Sequence, residues 1–164
     1  MMLTTKGRYA VMALVDMAAN NRFINGDDAK AICLADIAKR QEIASAYLEQ
    51  IFAKLKAAGL VKAVRGPGGG YLLSRKASDI NIAEVIDAVE EKMKMTRCGG
   101  EHNTHDACMS DKSPCITHDL WQGLGDRIES YFENITLDDV ANKRLNKTHE
   151  ENVNSGLRRN GMMS

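Results

Sequence analysis

Residues 34–73 read LADIAKRQEIASAYLEQIFAKLKAAGLVKAVRGPGGGYLL. Leu48, Ile51, Phe52 and Leu55 recur at i, i+3, i+4 and i+7, which draws one apolar stripe along a helix. Ala46, Glu49, Gln50, Ala53, Lys54 and Lys56 fall on the other side, where solvent or a ligand meets them. Gly59 closes the helix, and Leu34, Ile37 and Ala38 mark a shorter helix ahead of it. Two helices a few residues apart, the second with a polar outer face, describe a helix-turn-helix. Residues 60–64 and 71–73 are short apolar runs of strand type, separated by Arg65-Gly66-Pro67-Gly68-Gly69-Gly70. Proline presets φ and glycine supplies positive φ, so the stretch suits a hairpin tip. Arg65, at the base of a tip almost free of side chains, suits a DNA minor groove. The alternatives are a plain surface hairpin and a phosphate-binding loop. The latter needs Gly-Lys-Ser/Thr and a following helix, and neither follows here.

Working outward, Thr4 or Thr5 is placed to start a first helix ending near Asn20, with Val11, Leu14, Val15 and Ala18 as its buried stripe. Residues 20–30 are polar and turn-rich. A winged helix-turn-helix over residues 1–75 follows, so the expected fold class is mainly α with a small β-wing. Asn81 and Glu84 form a capping-box pair opening a helix faced by Ile82, Val85, Ile86 and Val89, within a connecting helical segment over 76–95. Between 96 and 118 apolar periodicity vanishes. Trp121, Leu124, Ile128, Tyr131 and Ile135 then recur at steps of three and four, the seam of a helix that pairs with another. A long dimerisation helix is expected over 119–142, with a short capped turn of its own near 136–140. A polar tail, expected to be disordered, covers 143–164.

The chain of 164 residues has a formal net charge of zero, but residues 1–75 carry +5 and residues 76–164 carry −5. A basic first half suits phosphate attraction, and an acidic second half does not. No apolar run reaches the roughly 18 residues a membrane span needs. The apolar stretch near the start is broken by Asp16 and has helix period, which argues against a secretion signal. The cysteines are therefore expected in a reducing compartment, as metal ligands rather than disulfides. Cys98, Cys108, Cys115 and His118 are separated by nine, six and two residues within one glycine-rich loop. Thiolates with an imidazole select zinc or an iron–sulfur cluster, and spacing alone does not choose between them. His102 and His105 read as exposed loop residues, and Cys33, between Ile32 and Leu34, as a buried small apolar residue. No paired carboxylates or nucleophile–base set points to catalysis, so the chain is not expected to be an enzyme.

LTTKGRYAV, YLEQIFAKLKAAGLV, VRGPGGGYLL, and TRC followed by CITHDLW together resemble the IscR family of iron–sulfur cluster regulators, from Leu3 to about Val140. The resemblance implies a cytoplasmic, dimeric bacterial repressor of iron–sulfur assembly genes that binds double-stranded DNA. It also implies a 2Fe–2S cluster, received from a donor of the iron–sulfur assembly machinery, on Cys98, Cys108, Cys115 and His118. Tyr47, Glu49, Gln50 and Arg65 are the implied DNA contacts. The cysteine spacing here is wider than that family's. Ala44 and Ala46 stand where it carries serines, which leaves Ser45 as the expected helix cap. Two rivals differ in class. One is a zinc-stabilised DNA binder without sensing. The other is an iron–sulfur carrier or small redox protein, which needs no basic winged helix.

Overall fold

The computed structural model describes residues 5–20, 30–90, 109 and 113–145. Its elements, in chain order, are α1 (Thr5–Asn20), α2 (Leu34–Gln41), α3 (Ser45–Ala57), β1 (Val61–Val64), β2 (Gly70–Leu73), a 3₁₀ turn (Ala77–Asp79), α4 (Ile82–Ala88), α5 (His118–Glu133) and α6 (Leu137–Ala141).

The expected stripe of α3 is its buried face: Leu48, Ile51, Phe52 and Leu55 all lie in the core. The helix ends by returning two hydrogen bonds to its last turn. Gly59 N–H donates to the Lys56 carbonyl at 3.0 Å and Leu60 N–H to the Leu55 carbonyl at 2.9 Å. Leu60 is thereby driven into the core, and β1 starts at the next residue. β1 and β2 pair antiparallel with Val61 opposite Leu73 and Val64 opposite Gly70. Gly66 and Gly68 take the positive φ values, 104° and 76°, that turn the tip.

The wing is tied back to the chain before α2. Ile32 and Tyr71 exchange both backbone hydrogen bonds, at 2.9 and 2.8 Å. Only glycine fits at residue 70, because a Cβ there would lie 2.3 Å from the Ile32 carbonyl oxygen. Phe52 meets Tyr71 edge-on at 4.8 Å and Tyr9 meets Tyr47 at 5.8 Å, joining α3 to the wing and to α1.

α1 is the central helix, packed by α2, α3, α4 and α6. Its buried face differs from the expected stripe. Ala10, Ala13, Leu14 and Met17 are fully buried, whereas Val11, Val15 and Ala18 are only partly covered. Neighbours on several sides make the apolar arc wide. Asp16 shares the buried side. Its carboxylate takes Arg40 Nε at 3.0 Å, Arg40 Nη2 at 2.6 Å and Gln41 Nε2 at 2.8 Å, which pins the end of α2 onto α1.

Further corrections concern element ends. Of the connecting segment expected over 76–95, residues 76–90 are described, and they hold the 3₁₀ turn and the helix Ile82–Ala88. The Asn81 and Glu84 capping box is formed, with bonds of 2.9 and 3.1 Å. The expected 119–142 helix ends at Glu133, and the short capped turn expected near 136–140 is a helix of its own, α6, started by a capping box of Thr136 and Asp139. Ile135 therefore leaves the α5 seam and is buried in the winged unit, its carbonyl accepting from Ile82 N–H at 2.9 Å. Ser45 does not cap α3. Ala44 holds the N-cap position and contributes no side-chain bond. Cys33 is exposed, not buried, since it sits at the N-cap of α2 where the chain leaves the wing. The tail expected to be disordered over 143–164 is ordered at its start, where Arg144 N–H donates to the Asp139 carbonyl at 2.8 Å and Leu145 packs against the core, and it lies outside the described residues from 146 onward.

Candidate nucleic-acid interface and cysteine centre

α3 presents Ser45, Ala46, Glu49, Gln50 and Ala53 to solvent while its opposite face is locked in the core. Glu49 and Gln50 are thus held on a rigid helix, with their side chains outward and no described ion pair on Glu49. Tyr47 is half-buried against Tyr9, so its ring lies at the edge of this face. Arg65 is exposed where β1 enters the wing tip. The turn before α3 is narrow. Glu42 takes a left-handed φ of 54°, and Ile43 N–H returns to the Ala38 carbonyl at 3.0 Å. A helix with an exposed polar face followed by a hairpin is the kind of surface that meets DNA grooves.

Cys115 and His118, at the start of α5, lie one helical turn apart. His118 N–H donates to the Cys115 carbonyl at 3.0 Å, and Cys115 Sγ lies 3.6 Å from Thr117 Oγ1. His118 alone among the residues of α5 is buried, at 4% exposure. Cys98 and Cys108, the other two residues of the expected ligand set, lie outside the described residues, as do His102 and His105. Among the described residues no three His, Cys, Asp or Glu side chains gather around a point that could hold a metal. A thiol and a sheltered imidazole at one helix start are donors that suit a soft metal centre. The two described residues therefore fit such a group.

The sequence profile of the Rrf2 family, described as an iron-dependent transcriptional regulator, matches residues 3–143. The chain belongs to the Rrf2 family. Its Rrf2 relatives include the HTH-type transcriptional regulator IscR of Escherichia coli, 47% identical over 144 residues, which are 88% of this chain and 82% of that protein. Among solved structures, T. potens IscR superposes with a TM-score of 0.66 at 30% identity, covering 88% of each chain. CymR of B. subtilis, titled the global cysteine regulator, superposes at 0.67 with 26% identity, covering 87% of this chain and 98% of that one.

This Rrf2 protein is a DNA-binding transcriptional regulator of the IscR type, not an enzyme, and its winged helix is the family's fold. Sequence reasoning missed two ion pairs in the winged-helix half of this Rrf2 protein. One is Asp16 with Arg40; its only signal was a carboxylate in the middle of an apolar helix. The other joins Lys54 of α3 to Glu90, just past α4. Trp121, Leu124 and Tyr131 on α5 each stand more than a third exposed. No described helix is long and apolar enough to cross a membrane.

Proposed function

We propose that the chain is a cytoplasmic, homodimeric regulator that senses an iron–sulfur cluster and represses iron–sulfur assembly genes when loaded. The carrying observation is the pairing of an outward polar face on α3 with a buried histidine one turn after a cysteine. Cys98, Cys108, Cys115 and His118 would hold a 2Fe–2S cluster, delivered by a donor of the assembly machinery. Such a cluster supplies a tie between the cysteine loop and the start of α5 that can be lost on oxidation or iron shortage.

The chain's own residues carry the consequence. α5 is clamped at its far end to the winged unit, because Ile82 N–H donates to the Ile135 carbonyl and Leu137 N–H to the Ile80 carbonyl at 3.0 Å. A change at His118 therefore acts on a helix rooted beside α4. Trp121, Leu124, Ile128 and Tyr131 form the face that a second copy covers, which sets two reading heads against two half-sites. Gln50 pairs with adenine edges and Glu49 accepts from cytosine N4. Glu49 also rejects sites that offer it no donor, since an unpaired carboxylate beside phosphate is repelled. Tyr47 and Arg65 make the flanking contacts, with Arg65 in the minor groove.

Anaerobic purification tests the reading. A coloured protein with iron and sulfide in equal amounts supports it; a colourless one with stoichiometric zinc overturns it. Both loaded and metal-free forms are then bound to a panel of DNA sites, and identical preferences would refute sensing.

A further inference from the structure

Ala46 is exposed on the side of α3 that faces away from Leu48, Ile51, Phe52 and Leu55. It sits in the first turn of the helix, the part of a recognition helix that meets base edges. Gln50 follows one turn later on the same line and Ala53 seven residues on, both exposed. Tyr47 does not screen this line, because its ring is turned against Tyr9 on α1. Along this line only Gln50 has a side chain with reach, so the helix can settle toward a groove floor until the Ala46 methyl meets it.

A methyl group forms no hydrogen bond. Set over a base edge that carries donors or acceptors, it removes their water and returns nothing, which costs affinity. One base escapes that cost. Thymine alone of the four carries an apolar group, its C5-methyl, in the major groove, and alanine matches it by apolar contact. Helix geometry sets the place. Ala46 and Gln50 are about 6 Å apart along the helix axis and stacked bases about 3.4 Å apart, so the methyl lies roughly two base-pair steps from the pair that Gln50 reads.

We infer that Ala46 is a specificity-determining residue that reads the C5-methyl of one thymine in each half-site. The inference rests on α3 being the reading helix, as set out above, and is independent of cluster sensing. It assigns an operator position that is read by apolar contact rather than by a hydrogen bond or a charge. Such a contact releases no counterion from the DNA, so its contribution does not change with salt, unlike that of a phosphate contact.

The test uses the full chain, purified anaerobically, to enrich duplexes from a randomised pool. Each thymine of the enriched site is then replaced singly by deoxyuridine, which removes only the methyl, and binding is measured for wild type, Gln50→Ala and Ala46→Gly. In wild type, one replacement per half-site is expected to weaken binding about fourfold, the worth of one buried methyl-sized group. That penalty is expected roughly two steps from the base pair at which Gln50→Ala relaxes preference, and to hold as salt is raised. Ala46→Gly is expected to bind the thymine and deoxyuridine forms alike. The ratio is taken within each protein, so any loss of helix stability in the variant cancels, and the wild-type series needs no variant at all. An enriched site in which no thymine methyl matters, or a penalty that Ala46→Gly retains, would overturn the inference and leave α3 as the reading helix. A pool from which no sequence is enriched would instead sink the reading of α3 itself, and this inference with it.

Discussion

Arg40→Ala is expected to destabilise the fold more than Asp16→Ala, although the two remove the same ion pair. The Asp16 side chain is 3% exposed and that of Arg40 is 38% exposed. Removing the guanidinium strands a buried carboxylate with Gln41 Nε2, at 2.8 Å, as its remaining side-chain donor. Stranding one member of a buried pair costs about 3–5 kcal/mol, and the Gln41 bond keeps the expectation at the lower end, about 3 kcal/mol. Removing the carboxylate instead frees an arginine that rehydrates at the surface, so the loss is that of its charge-assisted bonds, about 1.5–2 kcal/mol. With the carboxylate absent Arg40 holds nothing, so the double variant is expected to match Asp16→Ala and to reveal a coupling of about 3 kcal/mol. For a chain of this size each kcal/mol moves the melting point by roughly 2–4 °C, which places Arg40→Ala about 10 °C and Asp16→Ala about 5 °C below wild type. Urea and thermal unfolding followed by far-ultraviolet circular dichroism measure both. A larger cost for Asp16→Ala, or losses below about 0.5 kcal/mol for both, would refute the claim that this pair fixes α2 on α1.

Other expectations rest on single contacts. Burial alone would raise the Asp139 carboxyl, but hydrogen bonds from the Thr136 hydroxyl and N–H, with Arg144 beside it, outweigh this and hold it below the ordinary 3.8. Its stabilisation is complete above that value and is lost as pH falls through the lower folded one, so Asp139→Asn should flatten the acid limb of the urea midpoint; an unchanged limb counts against it. Gly70→Ala forces a Cβ to 2.3 Å from the Ile32 carbonyl oxygen, and should cost about 2 kcal/mol or more and loosen the wing, seen as lost amide protection at Tyr71. Gln50→Ala should cost about 1–3 kcal/mol at one base pair of the operator, read by competition with sites changed at each position; a uniform loss across all positions would assign Gln50 to phosphate instead. Leu124→Asp, on the exposed face of α5, should yield monomers by light scattering while the melting point stays within a few degrees of wild type, and a persistent dimer would remove that face from the interface.

What the sequence determined by itself was everything carried by neighbours within a turn or two. The α3 stripe, the glycine that ends it, the hairpin tip at 65–70 and the Asn81 cap were all legible, because helical period, capping and turn formation are short-range effects. The outward placement of Glu49 and Gln50 follows from the same periodicity, and that of Arg65 from the turn chemistry of the tip. The tertiary structure decided what depends on distant partners. Asp16 and Arg40 are 24 residues apart, and no local rule joins them. Whether Val11 or Ala13 faces the centre of the core depended on how many helices surround α1. Cys33 is exposed because the wing, drawn in through Tyr71, takes Ile32 as its edge partner and leaves residue 33 at a helix start. Ile135 kept the spacing of the α5 seam yet belongs to the winged unit, because its carbonyl is claimed by Ile82 and a new cap begins at Thr136. Periodicity reports which residues share a face; only the packed chain specifies what that face meets.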